Sequence, residues 1–349
     1  MGRRLLRYSL LIALIGVAIW GGVTIYSFNH FEKVVSRFDG QCQAVAGIIG
    51  PEDVQFDYRS KKAFISSYDH RTEKGRGSIY LFNVRDPLDD TSWEDRTAGV
   101  PELFAPRGLH FYDRDGVRRL FVVNGAQNTI ELYDVDDNNR LIHIETFSER
   151  RLRNPKDVVA VGPRAFYVTN DRNDERATLA GKFDFLTRAK SGVVFYFNGT
   201  SWHRAADQIR YANGLAVTGD GSRVFVAETS AANLLEYDRD PQTGYLTLRQ
   251  KIKAGAALDN INIDQSGLLW IGAHPRPLAL ARQKRDSSFA TPSKVLTYNS
   301  KTNTLSTIYA DDGSGLSAAS SAAHYQNKLI IGSLFEEKFL LCDMARSAG

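Results

Sequence analysis

The stretch Arg107-Gly108-Leu109-His110-Phe111, followed by an apolar strand at 119–123 and another at 129–134, is the unit from which the fold is read. A polar pair opens an alternating strand, a turn follows, and a second apolar strand comes back. The unit recurs at Glu52-Asp53-Val54-Gln55-Phe56, Lys156-Asp157-Val158-Val159-Ala160, Asn213-Gly214-Leu215-Ala216-Val217 and Asp259-Asn260-Ile261-Asn262-Ile263. A fainter copy stands at Ser320-Ser321-Ala322-Ala323. Second strands follow at 62–66, 119–123, 165–168, 223–226, 268–271 and 328–331, and third strands follow most of these, as at 77–83 and 191–197. Successive units start 46 to 61 residues apart. A period near 50 with strands at short intervals marks a propeller or a similar array. The expected fold is therefore all-β: a six-bladed β-propeller of four-stranded antiparallel blades. A β-sandwich with coincidental spacing is the alternative.

Composition agrees. The chain has 28 glycines, 15 tyrosines and 19 phenylalanines in 349 residues, which favours strands and tight turns over a helical bundle. Its net charge is +4, and Arg3, Arg4 and Arg7 supply three of those charges. The remainder is close to neutral, which gives no electrostatic case for a nucleic-acid partner.

Tyr8 to Phe28 is a run of 21 residues without a charge. That length spans a hydrocarbon core of about 30 Å as a helix. The expected organisation is a cytoplasmic basic stub (1–7), a transmembrane signal-anchor in the lipid membrane (8–28), a linker (29–41) and a propeller (42–345). The positive flank stays in the cytoplasm and sends the propeller to the lumenal or extracellular side. A cleaved secretion signal is the alternative, and either reading exports the propeller. The two cysteines, Cys42 and Cys342, are free thiols or, as an oxidising compartment favours, a pair. A bridge between them would close the ring. Asn198-Gly199-Thr200 is an acceptor pattern for glycosylation.

The first strand of a propeller blade lines the central channel, so the six polar pairs gather at one mouth. A hairpin returns the end of each second strand to the same face. Two long segments there, 171–190 and 275–292, are candidates for lids or membrane contacts, or are solvated loops. Glu52, Asp53, Asp157, Asn213, Asp259 and Asn260 are the hard oxygen donors that calcium takes. Strand-entry residues that satisfy turns are the other reading. The run Asp134-Val135-Asp136-Asp137-Asn138 lacks the Gly and the final Glu of an EF-hand loop and reads as a hairpin turn.

Over roughly 40–345 the chain resembles the paraoxonase/arylesterase family. The resemblance rests on Pro51-Glu52-Asp53, Pro106-Arg107-Gly108-Leu109, Val122-Val123-Asn124, Asp157-Val158-Val159-Ala160-Val161-Gly162-Pro163, Phe166-Tyr167-Val168-Thr169-Asn170-Asp171, Ala212-Asn213-Gly214, Asp259-Asn260-Ile261 and Trp270-Ile271-Gly272-Ala273-His274-Pro275, in that order. It implies a six-bladed propeller with two calcium ions in its channel, a retained N-terminal hydrophobic segment and a disulfide matching Cys42–Cys342. It also implies hydrolysis of lactones and aryl esters. Gluconolactonase and strictosidine-synthase-like propellers share that architecture. By position, a structural calcium would take Asp53, Asp157 and the Leu109 carbonyl. A catalytic calcium would take Glu52, Asn213, Asp259, Asn260 and an asparagine where this chain has Lys156. Arg107 and Gly125 stand at the positions of the family's two catalytic histidines. His110 is expected to point away from the channel, and His274 matches a family histidine beside a lid loop.

Lys156 is the departure with the largest physical consequence. An ammonium about 4 Å from a divalent ion costs roughly 8 kcal/mol at an effective dielectric near 20. Lys156 therefore replaces the ion and neutralises Glu52 and Asp259, or turns away from a four-ligand site completed by water, or loses its proton and acts as a base. Two functions follow. One is a calcium-dependent hydrolase of a small-molecule ester or lactone, with Lys156, Arg107 and His274 as catalytic candidates. The other is an altered propeller that binds a ligand or partner and keeps only the structural calcium.

Overall fold

Leu120-Phe121-Val122-Val123 is apolar at every position because both of its faces are buried. Leu120 and Val122 pack toward the blade before their own, Phe121 and Val123 toward the blade after it. The same alternation runs through all six second strands. It produces six apolar clusters, one between each pair of neighbouring blades. A blade has no core of its own, and the ring is held together by these shared layers.

The computed structural model describes residues 2–29, 31–85, 93–96, 99–172 and 184–345. It is a six-bladed propeller of antiparallel blades. The first strands are Pro51–Asp57, Pro106–Arg114, Pro155–Ala160, Ala212–Val217, Ala257–Ile263 and Ala319–Tyr325. Blades one to five draw their four antiparallel strands from one stretch of chain, as the repeat implies. The sixth does not. Its outer strand is Gly40–Ala46, which pairs with Lys338–Met344 and so joins the two ends of the chain. Arg37–Phe38 add a short fifth strand to blade five.

Cys42 and Cys342 face each other in this closing pair and are disulfide-bonded. The bridge spans 300 residues, so it restricts the unfolded chain strongly. Cys42→Ser is expected to lower stability by about 2–5 kcal/mol. A thermal melt should show this as a loss of roughly 4–10 °C, whereas an unchanged melting temperature would mean that the strand pairing closes the ring unaided.

Gly2–Ser27 forms a 26-residue helix, α1. Ile12, Leu14, Val17, Ile19 and Val23 are exposed on it. Among the described residues, no helix is long and apolar enough to cross a membrane. Just past α1, Phe28 stacks on Phe185 at 5.1 Å, and Asn29 Nδ2 donates to the Gly255 carbonyl. A second helix, α2 (Pro277–Arg285), lies within the segment 275–292.

Candidate functional site

Consecutive residues of a regular strand point to opposite faces, yet each polar pair is needed on one side. The structure resolves this with a bulge. In blade one, Pro51 pairs with Ser67 and Val54 with Ile65, so three steps on the first strand match two on the second. The same extra residue occurs in all six blades, at or beside the polar pair. A bulge of this kind re-aims side chains. It also overturns the expectation for His110. Counting by twos from Arg107 turns it away from the channel, but the extra residue restores it. His110 lines a cavity at the far mouth, where its Nδ1 accepts from the Ala160 N–H of the next blade.

Deep in the channel lie Asp53 and Asp157, 1% and 2% exposed. Asp53 accepts the N–H groups of Val54 and of Leu109 in the next blade, at 2.8 and 3.0 Å. Asp157 repeats the device one level on, with Val158 and Leu215 at 2.8 and 2.6 Å. Gly108 lies between them. A Cβ there would come within 2.2 Å of Asp157 Oδ1. Burial, and then Glu52 beside it, push the Asp53 carboxyl up to about 7 despite its N–H donors. Burial and then Asp53 push Asp157 well above the carboxylate range. Two buried carboxylates, one raising the other and both met only by uncharged donors, form a donor set that suits a hard divalent cation.

The mouth is built differently. Burial opposes ionisation of Glu52, but His70, Arg107 and Lys156 together outweigh it and hold the carboxyl below its ordinary value. His70 Nε2 is 2.9 Å from Glu52 Oε2, close enough for an ion pair but at an angle that makes no hydrogen bond. Across the mouth, Asp259 accepts from Asn213 Nδ2 at 2.7 Å and meets His274 Nε2 at 2.9 Å. Asn260 Nδ2 donates to the Glu52 carbonyl. Lys156 Nζ lies 3.8 Å from Asp171 Oδ2 and over the Tyr211 ring. Arg172 and Asn154 reach Asp171 as well. Among the described residues, no three His, Cys, Asp or Glu side chains converge as a metal requires. That holds for the centre as well, but at the mouth the carboxylates already meet His70, Lys156, Arg172 and His274, whereas Asp53 and Asp157 meet uncharged N–H donors.

Of the residues singled out in the sequence, the first strands place Glu52, Asn213, Asp259, Asn260, Arg107 and Lys156 at this mouth, and His274 joins them from the end of a second strand. His70 was missed. It lies three residues beyond the second strand of blade one, in one of the segments that surround the mouth.

Arg107 donates to Asn154 Oδ1 and to the Pro155 carbonyl. Its guanidinium fills the space over Gly125, where a Cβ would lie 2.4 Å from Arg107 Nε. The two departures from the family pattern are thus one event, since the arginine occupies the room that a side chain at 125 needs. Gly125→His is expected to cost about 1–3 kcal/mol by overpacking. Adding Arg107→His should recover most of it, and a double variant no more stable than the single one would break this link.

Beside the mouth is a cavity of about 500 Å³ lined mainly by apolar groups. Phe185 and Leu186 form one wall, Leu278, Leu280 and Ala281 of α2 another, and Asp171 and Tyr211 the end nearest Lys156. Both long segments thus contribute to one pocket; residues 173–183 lie outside the described ones. A larger cavity, about 890 Å³, opens at the far mouth and contains none of the mouth residues. There Asp264 accepts from Trp270 Nε1, Ser266 N and Leu268 N and meets His324 Nδ1, and Trp270 stacks on His324. Burial opposes ionisation of Asp264, but these bonds hold its carboxyl far below the ordinary 3.8. A depressed pKa stabilises the fold above the unfolded value and loses that contribution as pH falls below it. Asp264→Asn should therefore melt below wild type at pH 7, with the gap narrowing below about pH 3.8. A gap independent of pH would refute the assignment. Asn198 is exposed in the turn between the last two strands of blade three.

The fold and the mouth together define a class: six-bladed propellers whose bulged first strands deliver carboxylates, amides and cations to one end of the channel. Residues 64–344 match the family described as arylesterase, and the chain belongs to that family. It is 32% identical over 328 residues to human serum paraoxonase/arylesterase 1, covering 87% of this chain and 88% of that protein. With human serum paraoxonase/lactonase 3 it shares 29% over 275 residues, 77% of each chain. Among solved structures it is similar to a luciferin-regenerating enzyme, with TM-score 0.58 and 11% identity over 87% of this chain and 95% of that one. A Xanthomonas campestris gluconolactonase gives 0.56 and 13% over 90% and 94%. At such identities these two likenesses bear on the fold alone.

Proposed function

We propose that the protein hydrolyses small apolar carboxylic esters or lactones at the mouth of its channel. The observation that carries the reading is a fixed cation, Lys156, held against Asp171 and Tyr211 of an apolar 500 Å³ pocket, at a channel mouth that also holds the Asp259–His274 pair, in a chain of the arylesterase family. Hydrolysis adds water to the ester carbonyl and puts negative charge on its oxygen. Cations held in place beforehand stabilise that charge without reorganising. Lys156, steadied by Asp171 and Tyr211, and Arg107, steadied by Asn154, have that character. Asp259 fixes the ring of His274 through Nε2. Its Nδ1 is buried and has no hydrogen-bond partner, so it can take a proton from the attacking water. The apolar part of the substrate lies between Phe185 and Leu280.

A calcium ion held by Asp53, Asp157 and the Leu109 carbonyl would supply the positive charge that the centre of the channel lacks. The uncharged run 8–28 anchors the protein in a membrane, with the propeller on the side away from the cytoplasm. Its exposed apolar side chains, the arginines before them and the disulfide support this. Asn198 on that side is a glycosylation acceptor. The test is to assay the full chain, purified in detergent, against phenyl acetate and a γ-lactone. Saturable turnover of either supports the reading, and none above buffer with both sinks it.

A further inference from the structure

The two levels of the channel balance their carboxylates in different ways. At the centre, Asp53 and Asp157 are met by uncharged N–H donors, Asp53 by Val54 and Leu109 and Asp157 by Val158 and Leu215. At the mouth, cations of the protein face the carboxylates directly. His70 Nε2 lies 2.9 Å from Glu52 Oε2, and Asp171, fully buried, is met by Lys156 and Arg172. Both oxygens of Asp259 are engaged, one by Asn213 and the other by His274. A divalent ion placed here would meet an ammonium and a guanidinium, and would have to draw Asp259 away from two partners.

We propose that the mouth of this channel does not hold the second divalent ion that the family resemblance implies, and that Lys156 takes its place, so that the centre between Asp53 and Asp157 is left as the one ion site. In this arrangement Lys156 does what an ion cannot. It joins the first strand of blade three to Asp171, one of the residues that line the apolar pocket, through one ammonium. The inference rests on the same mouth that the hydrolase reading uses. An ion count is nevertheless independent of turnover, so inactive protein with one ion would sink that reading alone.

The experiment is a calcium count on the full chain in detergent, by equilibrium dialysis against calcium followed by metal analysis. One ion per chain is expected. Two, or none, would overturn the proposal. Asp157→Asn should bring the count from one to zero; an ion that survives there would sit at the mouth, against the proposal. Lys156→Asn removes the ammonium and supplies an oxygen donor, and its count should rise to two. A count that stays at one would show that Lys156 is not what excludes the second ion. The lysine variant leaves the central pair untouched, so it answers the question even where Asp157→Asn fails to fold.

Discussion

Stripping divalent ions from the full chain with a chelator should lower its melting temperature by about 5–10 °C, and one equivalent of calcium should restore it. Asp53 and Asp157 are buried in the channel, and Asp53 raises the affinity of Asp157 for a proton. Without a cation the centre of the disc therefore carries like charges in a poorly solvated place. An ion that binds only the folded chain stabilises it by about 4 kcal/mol when present at a thousand times its dissociation constant. In a domain of this size each kcal/mol moves the midpoint by roughly 2 °C. The effect should be global. Asp53 bonds blade one to blade two, and Asp157 bonds blade three to blade four, so the centre links four of the six blades. A chelated protein that melts where the untreated one does would remove the ion from the account of stability.

Lys156→Met should reduce kcat by about 100- to 1,000-fold and leave KM within a few-fold. Removing one preorganised donor to a developing oxyanion costs about 2.7–4 kcal/mol of transition-state stabilisation. Methionine keeps the length and apolar stem of lysine, so the loss comes from the charge. Asp171 retains Arg172 and Asn154 in this variant, which limits the cost to folding. A fall in KM and kcat together would mean a change in substrate seating. Unchanged kinetics would return Lys156 to a purely structural role.

Much of this was legible in the sequence, for identifiable reasons. Blades bury both faces, so their second strands read as short apolar runs, and the repeat of those runs gives the count of six. The polar pairs were visible because a bulge recurs at one place in every blade and takes consecutive residues to the channel. The bulge itself was not visible, and it reversed the orientation expected for His110. His70 was hidden because only the turn of blade one brings it against Glu52. Lys156 could be flagged as out of place, but its partner could not be named. Asp171 reaches it from the next strand, and Tyr211 from the start of the following blade. The closing strand of blade six comes from the other end of the chain; the repeat does not show it, and only the two cysteines pointed to it.

The central claim is that one site at the channel mouth hydrolyses both aryl esters and lactones. It is tested most directly by measuring lactone hydrolysis by the full chain at increasing phenyl acetate. The account predicts saturable turnover of each, with phenyl acetate a competitive inhibitor whose inhibition constant matches its own KM. Turnover of neither substrate, or of both without mutual competition, would contradict it.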